Sequence, residues 1–184
     1  PTSTMAPTAE AATPIPTVNP LTFVTVTTAP PPIATAVSPP PVCSPGPDVR
    51  WAAAYESARA ELGCPVASSS QSQSAAQPYV NGFMVWREDR ELVYMLFGSG
   101  RLSTFSTTEA MAGFEQSPLI KGAFGYLWAN ETAVRDLIGE PLEEEYNPTN
   151  FWVQDFENGT IFQFDNGGLQ TYVLFTSAGQ WSAP

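Results

Sequence analysis

Carboxylates are the most abundant ionisable side chains in this chain. It holds 18 Asp and Glu against 7 Lys and Arg, and no histidine. Two acids in a cleft with separated pKa values hydrolyse a glycoside, but no spacing here specifies such a pair. The acids cluster instead as Glu140, Glu143, Glu144 and Glu145, followed by Asp155 and Glu157. A run of this kind reads first as a solvated face that maintains solubility. Calcium is the sharper alternative, yet the alternating ligands of an EF-hand loop are missing. Without histidine the usual triad base, the commonest metal ligand and the neutral-pH proton shuttle are gone. A serine nucleophile would need Lys121, the single lysine, and "SPLIK" lacks the Ser-x-x-Lys spacing. "GSG" at 98–100 reads as a turn between strands, not a phosphate cradle. The expectation is a protein without catalysis, metal or cofactor.

Aromatic rings offer a different chemistry, because an apolar ring face with a polar rim can stack on a sugar. Trp86, Trp128, Trp152, Trp181, Tyr79, Tyr126, Tyr146 and Phe151 are the candidates. Trp86 and Trp128 occupy apolar repeated positions and are expected in the core. Phe151 and Trp152 follow the polar "NPTN", with Tyr146 just before it, and are the expected stacking surface.

Charge limits the partners. The net charge of −11 leaves no basic face for nucleic acid, and anionic membrane surfaces are disfavoured likewise. No apolar run approaches a bilayer span. Cys43 and Cys64 are expected either as a disulfide or as two unrelated buried thiols; low lysine, high Thr and Pro and the acidic balance favour export and the disulfide. Closing that loop would stabilise by about 3 kcal/mol. The chain starts at Pro1 and reads as a mature or trimmed exported protein.

The elements that must position these groups divide near residue 48. Residues 1–47 hold 13 of the 19 prolines, ten threonines, one charged residue (Glu10) and one aromatic (Phe23). Such an arm cannot offset its own ordering entropy. The remainder, about 135 residues, suits one domain. Self-comparison of that remainder reveals a duplication. "RAELGCP" (59–65) matches "RDLIGEP" (135–141), "QPYVNGFMVW" (77–86) matches "QDFENGTIFQ" (154–163), "VYMLF" (93–97) matches "TYVLF" (171–175), and "SGRLS" (99–103) matches "AGQWS" (178–182). The order is kept while the offset drifts from 76 to 79. Unit 1 is assigned to 48–105, a linker to 106–120 and unit 2 to 121–184.

Each unit reads as a helix followed by a small antiparallel sheet, an α+β arrangement. Trp51, Tyr55, Ala58 and Leu62 recur at helical spacing. Asp48 and Asn130 are the expected N-caps, and Gly63 and Gly139 the stops, each followed by a proline two residues on. Asn-Gly at 81–82 and 158–159 predicts a tight turn or bulge in both units. "REDRE" and "DNGG" are the next turns, and short strands around Leu102 and Trp181 finish each unit.

These motifs resemble the LGFP repeat. Leu62, Gly63 and Pro65 with Tyr79, Gly82, Met84 and Trp86 carry the likeness in unit 1. Ile138, Gly139 and Pro141 with Phe156, Gly159, Ile161 and Gln163 carry it in unit 2. Cys64 and Glu140 replace the aromatic of the name motif, and Gln163 the terminal tryptophan. The resemblance covers roughly 120 residues. It implies tandem α+β modules of exported bacterial proteins, associated with the cell wall or surface, and no catalytic role.

Within the arm, "LTFVTVTT" (21–28) alternates as a strand with Leu21 and Phe23 on one side and Val24 and Val26 on the other. It would extend about 26 Å. A stiff proline linker could carry it up to about 40 Å from Cys43, which suits a neighbouring molecule. The expected function is a structural subunit of an extracellular filament or surface layer, joined head-to-tail by this donor strand. The alternative is a cell-surface glycan-binding module on a Pro/Thr stalk. Thr2, Thr4, Thr8, Thr13, Thr17 and Thr35 are candidate O-glycosylation sites. Asn130 and Asn158 sit in N-glycosylation sequons.

Overall fold

A computed structural model describes residues 42–165 and 167–184. The donor strand at 21–28 and the six arm threonines lie outside the described residues.

Asp48 opens the helical region of unit 1 by accepting the Arg50 backbone N–H at 2.9 Å, which caps a 3-10 turn over Val49–Trp51. Helix α1 (Ala52–Leu62) follows and stops at Gly63, whose φ of 75° suits glycine. Trp51, Tyr55, Ala58 and Leu62 form its buried face, as their spacing requires. After the short β1 (Ser70–Gln71), strands β2 (Ser74–Tyr79), β3 (Gly82–Arg87), β4 (Leu92–Phe97) and β5 (Leu102–Ser106) form a meander in the order β2-β3-β4-β5. Residues 106–120, read as a linker, contain helix α2 (Glu109–Ala112) and strand β6 (Glu115–Ser117). The latter pairs with β7 (Ile120–Lys121).

Unit 2 splits its helical segment into α3 (Gly122–Asn130) and α4 (Thr132–Ile138). Asn130 is therefore no N-cap. It ends α3 and donates its side-chain amide to the Tyr126 carbonyl at 2.9 Å. Strands β8 (Trp152–Phe156), β9 (Gly159–Asp165), β10 (Leu169–Phe175) and β11 (Gln180–Ser182) complete a second sheet in the order β1-β8-β9-β10-β11. Both Asn-Gly pairs close two-residue hairpin turns, Val80–Asn81 and Glu157–Asn158.

The two sheets stack face to face, and helices cover both outer faces. Val85, Tyr94 and Leu96 of the first sheet meet Val153, Phe162, Phe164, Tyr172 and Leu174 of the second. Met84, Val93 and Met95, on the opposite pleat of the first sheet, pack under Met111, Phe124, Leu127, Val134 and Ile138. Ile161 and Val173, on the outer pleat of the second, pack under Trp51, Tyr55 and Leu62. The result is an α/β/β/α stack with the helices exchanged. The helix of unit 1 covers the sheet of unit 2, and the helices of unit 2 cover the sheet of unit 1. In chain order each unit is a helical segment followed by an antiparallel sheet, as expected, and the packing partner of each comes from the other unit.

The exchange obeys the repeat. The Glu157 and Asn158 N–H groups donate to the Cys64 and Leu62 carbonyls at 3.0 Å each, and Val80 and Asn81 donate to Glu140 and Ile138 at 3.0 and 2.9 Å. Ser70 pairs with Val153, as Tyr146 does with Ala76. Leu102 donates to Gly179 and Trp181 to Gly100, at 2.8 and 2.9 Å, beside an antiparallel bridge between Arg101 and Gln180. A residue and its repeat-mate that pair antiparallel straddle a local two-fold axis, so the units are related by a closed pseudo-two-fold.

Two buried glutamines hold the exchanged segments. Gln154 accepts from the Asp48 N–H and the Trp51 indole at 2.9 and 3.1 Å, and donates to the Gly46 and Ala67 carbonyls. Gln77, its repeat-mate, donates to Leu119 and Glu143 at 2.9 Å each and accepts from the Tyr79 hydroxyl. Each therefore satisfies its amide fully inside the fold. Cys43 and Cys64 form a disulfide, tying the chain before α1 to the end of that helix.

Candidate functional site

A concavity lies over the first sheet beside α2. Trp86 projects from β3 toward the helix layer and is half-buried. It is a shared wall between a cleft of about 630 Å³ and an adjoining one of about 450 Å³. The larger has an apolar floor of Ala75, Met111 and Phe124 and a rim with Glu91, Glu109 and Glu145. The smaller is lined by Gln71, Gln73, Ser74, Asn147 and Asn150 with the edge of Phe151. Cavities of this size hold a small ligand or two to three linked sugar rings.

The rim is fixed by local structure. Glu91 ends a 3-10 turn over Glu88–Arg90 with a left-handed backbone, φ 50°. Its carbonyl accepts from the Thr107 N–H and hydroxyl at 2.8 and 3.1 Å, so Thr107 alone tethers the loop twice. Glu145 lies on a segment that runs along the outer side of β2. Tyr146 exchanges backbone hydrogen bonds with Ala76 at 2.8 and 2.9 Å, and Gln77 binds the Glu143 carbonyl. Burial pushes the Glu145 carboxyl above its ordinary value, against the pull of Lys121. That lysine is engaged with Glu144 at 3.3 Å. In the polar half, Ser74 is only 6% exposed, and its hydroxyl has no partner among the described residues. Buried hydroxyls without partners are uncommon and invite an explanation.

Of the expected stacking residues, Phe151 is buried and Trp152 and Tyr146 are partly buried. Phe151 is 3% exposed and lies in the inter-sheet core, with Phe162 and Phe164 at ring separations of 5.3 and 5.9 Å. The polar loop before it runs on the surface, but Phe151 starts the descent into β8. One face of Trp152 is occupied, since the Arg50 guanidinium sits 3.5 Å from its ring centroid. Tyr146 is half-buried against the same core as Phe151. The ring that lines both clefts is Trp86, partly buried against the helix-covered core where sequence reasoning placed it. Three other indoles donate internally: Trp51 to Gln154, Trp128 to the Gly139 carbonyl at 2.8 Å and Trp181 to the Phe97 carbonyl at 2.8 Å. A signal for Trp86 was present, because its repeat-mate is Gln163 where neighbouring positions match in kind.

The remaining clusters are structural. Arg87, 3% exposed, pairs with Asp155 and Asp89 at 2.6 and 2.7 Å, and Arg90 joins Asp155 at 2.8 Å. Among the described residues, no group of three or more His, Cys, Asp or Glu is placed to hold a metal ion. No helix among them is long and apolar enough to cross a membrane. The two sequon asparagines, Asn130 and Asn158, are both exposed, Asn158 in the β8–β9 turn. A disulfide-bonded domain fits an extracellular setting. Comparison with protein-family models, curated proteins and solved structures found no match for this chain.

Proposed function

We propose that this chain is an extracellular, non-catalytic glycan-binding module whose ligand lies along the Trp86 groove. One observation carries the reading: a partly buried indole joins an apolar-floored cleft to an amide- and hydroxyl-lined one. A pyranose presents an apolar face to the indole and hydroxyls to the amides, so the two halves suit the two aspects of one sugar. The carboxylates sit at the rim, and no histidine or metal chemistry accompanies them. The Pro/Thr arm then serves as a stalk. Calorimetric titration with soluble cell-wall oligosaccharides tests this. At least one should bind saturably, and Trp86→Ala should weaken it by about tenfold or more. A wild-type protein that binds no member of the panel overturns the reading.

A second reading, the head-to-tail filament or surface-layer subunit, is favoured by a different observation. Strand β5 ends its sheet, and past the Arg101–Gln180 bridge its outer side has no strand neighbour among the described residues. Such an edge accepts an added strand, and 21–28 of another copy has the required alternation. Light scattering and electron microscopy of the full chain should then show filaments that disappear when residues 1–30 are deleted. Polymerisation unchanged by the deletion contradicts it.

A further inference from the structure

We propose that the groove selects a saccharide bearing a protonated amine, with the nitrogen held between the Trp86 face and the Glu91, Glu109 and Glu145 carboxylates. This rests on the glycan reading of the same site and adds the class of sugar.

The fold contains its own template for that contact. Trp86 stands opposite Ala75 across the β2–β3 ladder, and Trp152 stands opposite Gln163 across β8–β9. Ala75 is the repeat-mate of Trp152, and Trp86 that of Gln163, so these are one cross-strand position occurring twice. Each copy has a single indole, contributed by opposite strands. In unit 2 the indole is covered from within by Arg50, 3.5 Å from the centroid, and that guanidinium is itself paired with Asp48 at 2.5 Å. The second sheet thus fills the position with a cation bracketed by a ring and a carboxylate.

In unit 1 the same position is open. It has the ring and three carboxylates, while no Lys or Arg lines the cleft. A cation over an indole with carboxylates beside it is stabilised by the ring quadrupole and by direct charge attraction. Glu145 is partly desolvated, and the one cation acting on it among the described groups, Lys121, is engaged with Glu144. The adjoining half decides what carries the cation. Its Gln and Asn amides suit several sugar hydroxyls at once. A basic peptide would engage the acidic half and leave this one without a role.

The test is calorimetric titration with a glucosamine tetramer and its N-acetylated counterpart, at about pH 6 and about pH 9, either side of about 8, the value of an amine beside electron-withdrawing groups such as an α-amino group. The amine form should bind about tenfold tighter at the lower pH, and the preference should fall toward one at the higher pH. Glu109→Gln, at an exposed position that cannot disturb the core, should lower the preference by about threefold. Equal affinity for both tetramers at the lower pH overturns the inference and leaves the glycan reading standing. An arginine-rich peptide that binds when the glucosamine tetramer does not overturns it in favour of a protein partner. Binding of neither tetramer also overturns it, and the wider oligosaccharide panel then decides the glycan reading separately.

Discussion

Replacing Asp155 by Asn removes the central charge of the network that clamps the two sheets together. Burial alone would push the Asp155 carboxyl up. Hydrogen bonds and charge from Arg87, with hydrogen bonds from Thr160 and Arg90, outweigh it and hold the group at about 2, against an ordinary 3.8. The folded state therefore prefers the ionised form. Its contribution is complete above about pH 4, where the unfolded chain is also ionised, and is lost as pH falls toward about 2. A difference just under two pH units corresponds to about 2 kcal/mol. At neutral pH the substitution also strips Arg87, 3% exposed, of its inter-sheet partner and leaves Asp89. Breaking a buried pair from one side costs about 3–5 kcal/mol, and the remaining carboxylate puts this case near about 3. Urea midpoints measured from neutral pH downward read both effects. Asp155→Asn should be less stable at pH 7 and should lose less stability than wild type between about pH 4 and pH 2. Some acid slope persists, because the Arg87 hydrogen bond also lowers Asp89. A variant within about 1 kcal/mol of wild type at pH 7, or with an unchanged acid slope, would refute the assignment.

Further predictions concern the fold. Residues 42–106 and 107–184 should each be unfolded alone by circular dichroism, because each sheet borrows its helices, and should regain native signal when mixed; an independently folded half contradicts the exchange. Reducing the Cys43–Cys64 disulfide opens a loop with a sequence separation of 21 and should lower the unfolding free energy by about 3 kcal/mol, read by denaturant melts with and without reductant. Gly159→Ala places a Cβ onto the Leu174 carbonyl oxygen and the Leu62 side chain, so a loss of about 2 kcal/mol or more is expected in the same assay.

Much of the fold was legible because its signals are local. Gly63 and Gly139 stop helices through backbone conformation, Asn-Gly closes both hairpins, and the face of α1 follows from helical spacing. The exchange was not legible, since a repeat offset gives equivalence and not which sheet a helix covers. That choice lies in long-range hydrogen bonds such as Gln154 to Gly46 and Ala67, although both glutamines head the matched segments. The site was legible only in kind. Polar neighbours suggested that Phe151 was exposed, yet its strand leads into the core; an apolar strand placed Trp86 against the core, where it is partly buried, but did not show that it also lines both clefts. Within 106–120 no periodicity announces α2, which has four residues and acquires its place from Met111 in the core.

The most direct test of the account is a ¹⁵N NMR titration of the full chain with the best-binding soluble oligosaccharide. The glycan reading predicts saturable shifts at the Trp86 indole N–H and at the side-chain amides of Gln71, Gln73, Asn147 and Asn150, with Trp152 and its Arg50 cover unmoved. Shifts centred on another face, or none at saturating sugar, would contradict it.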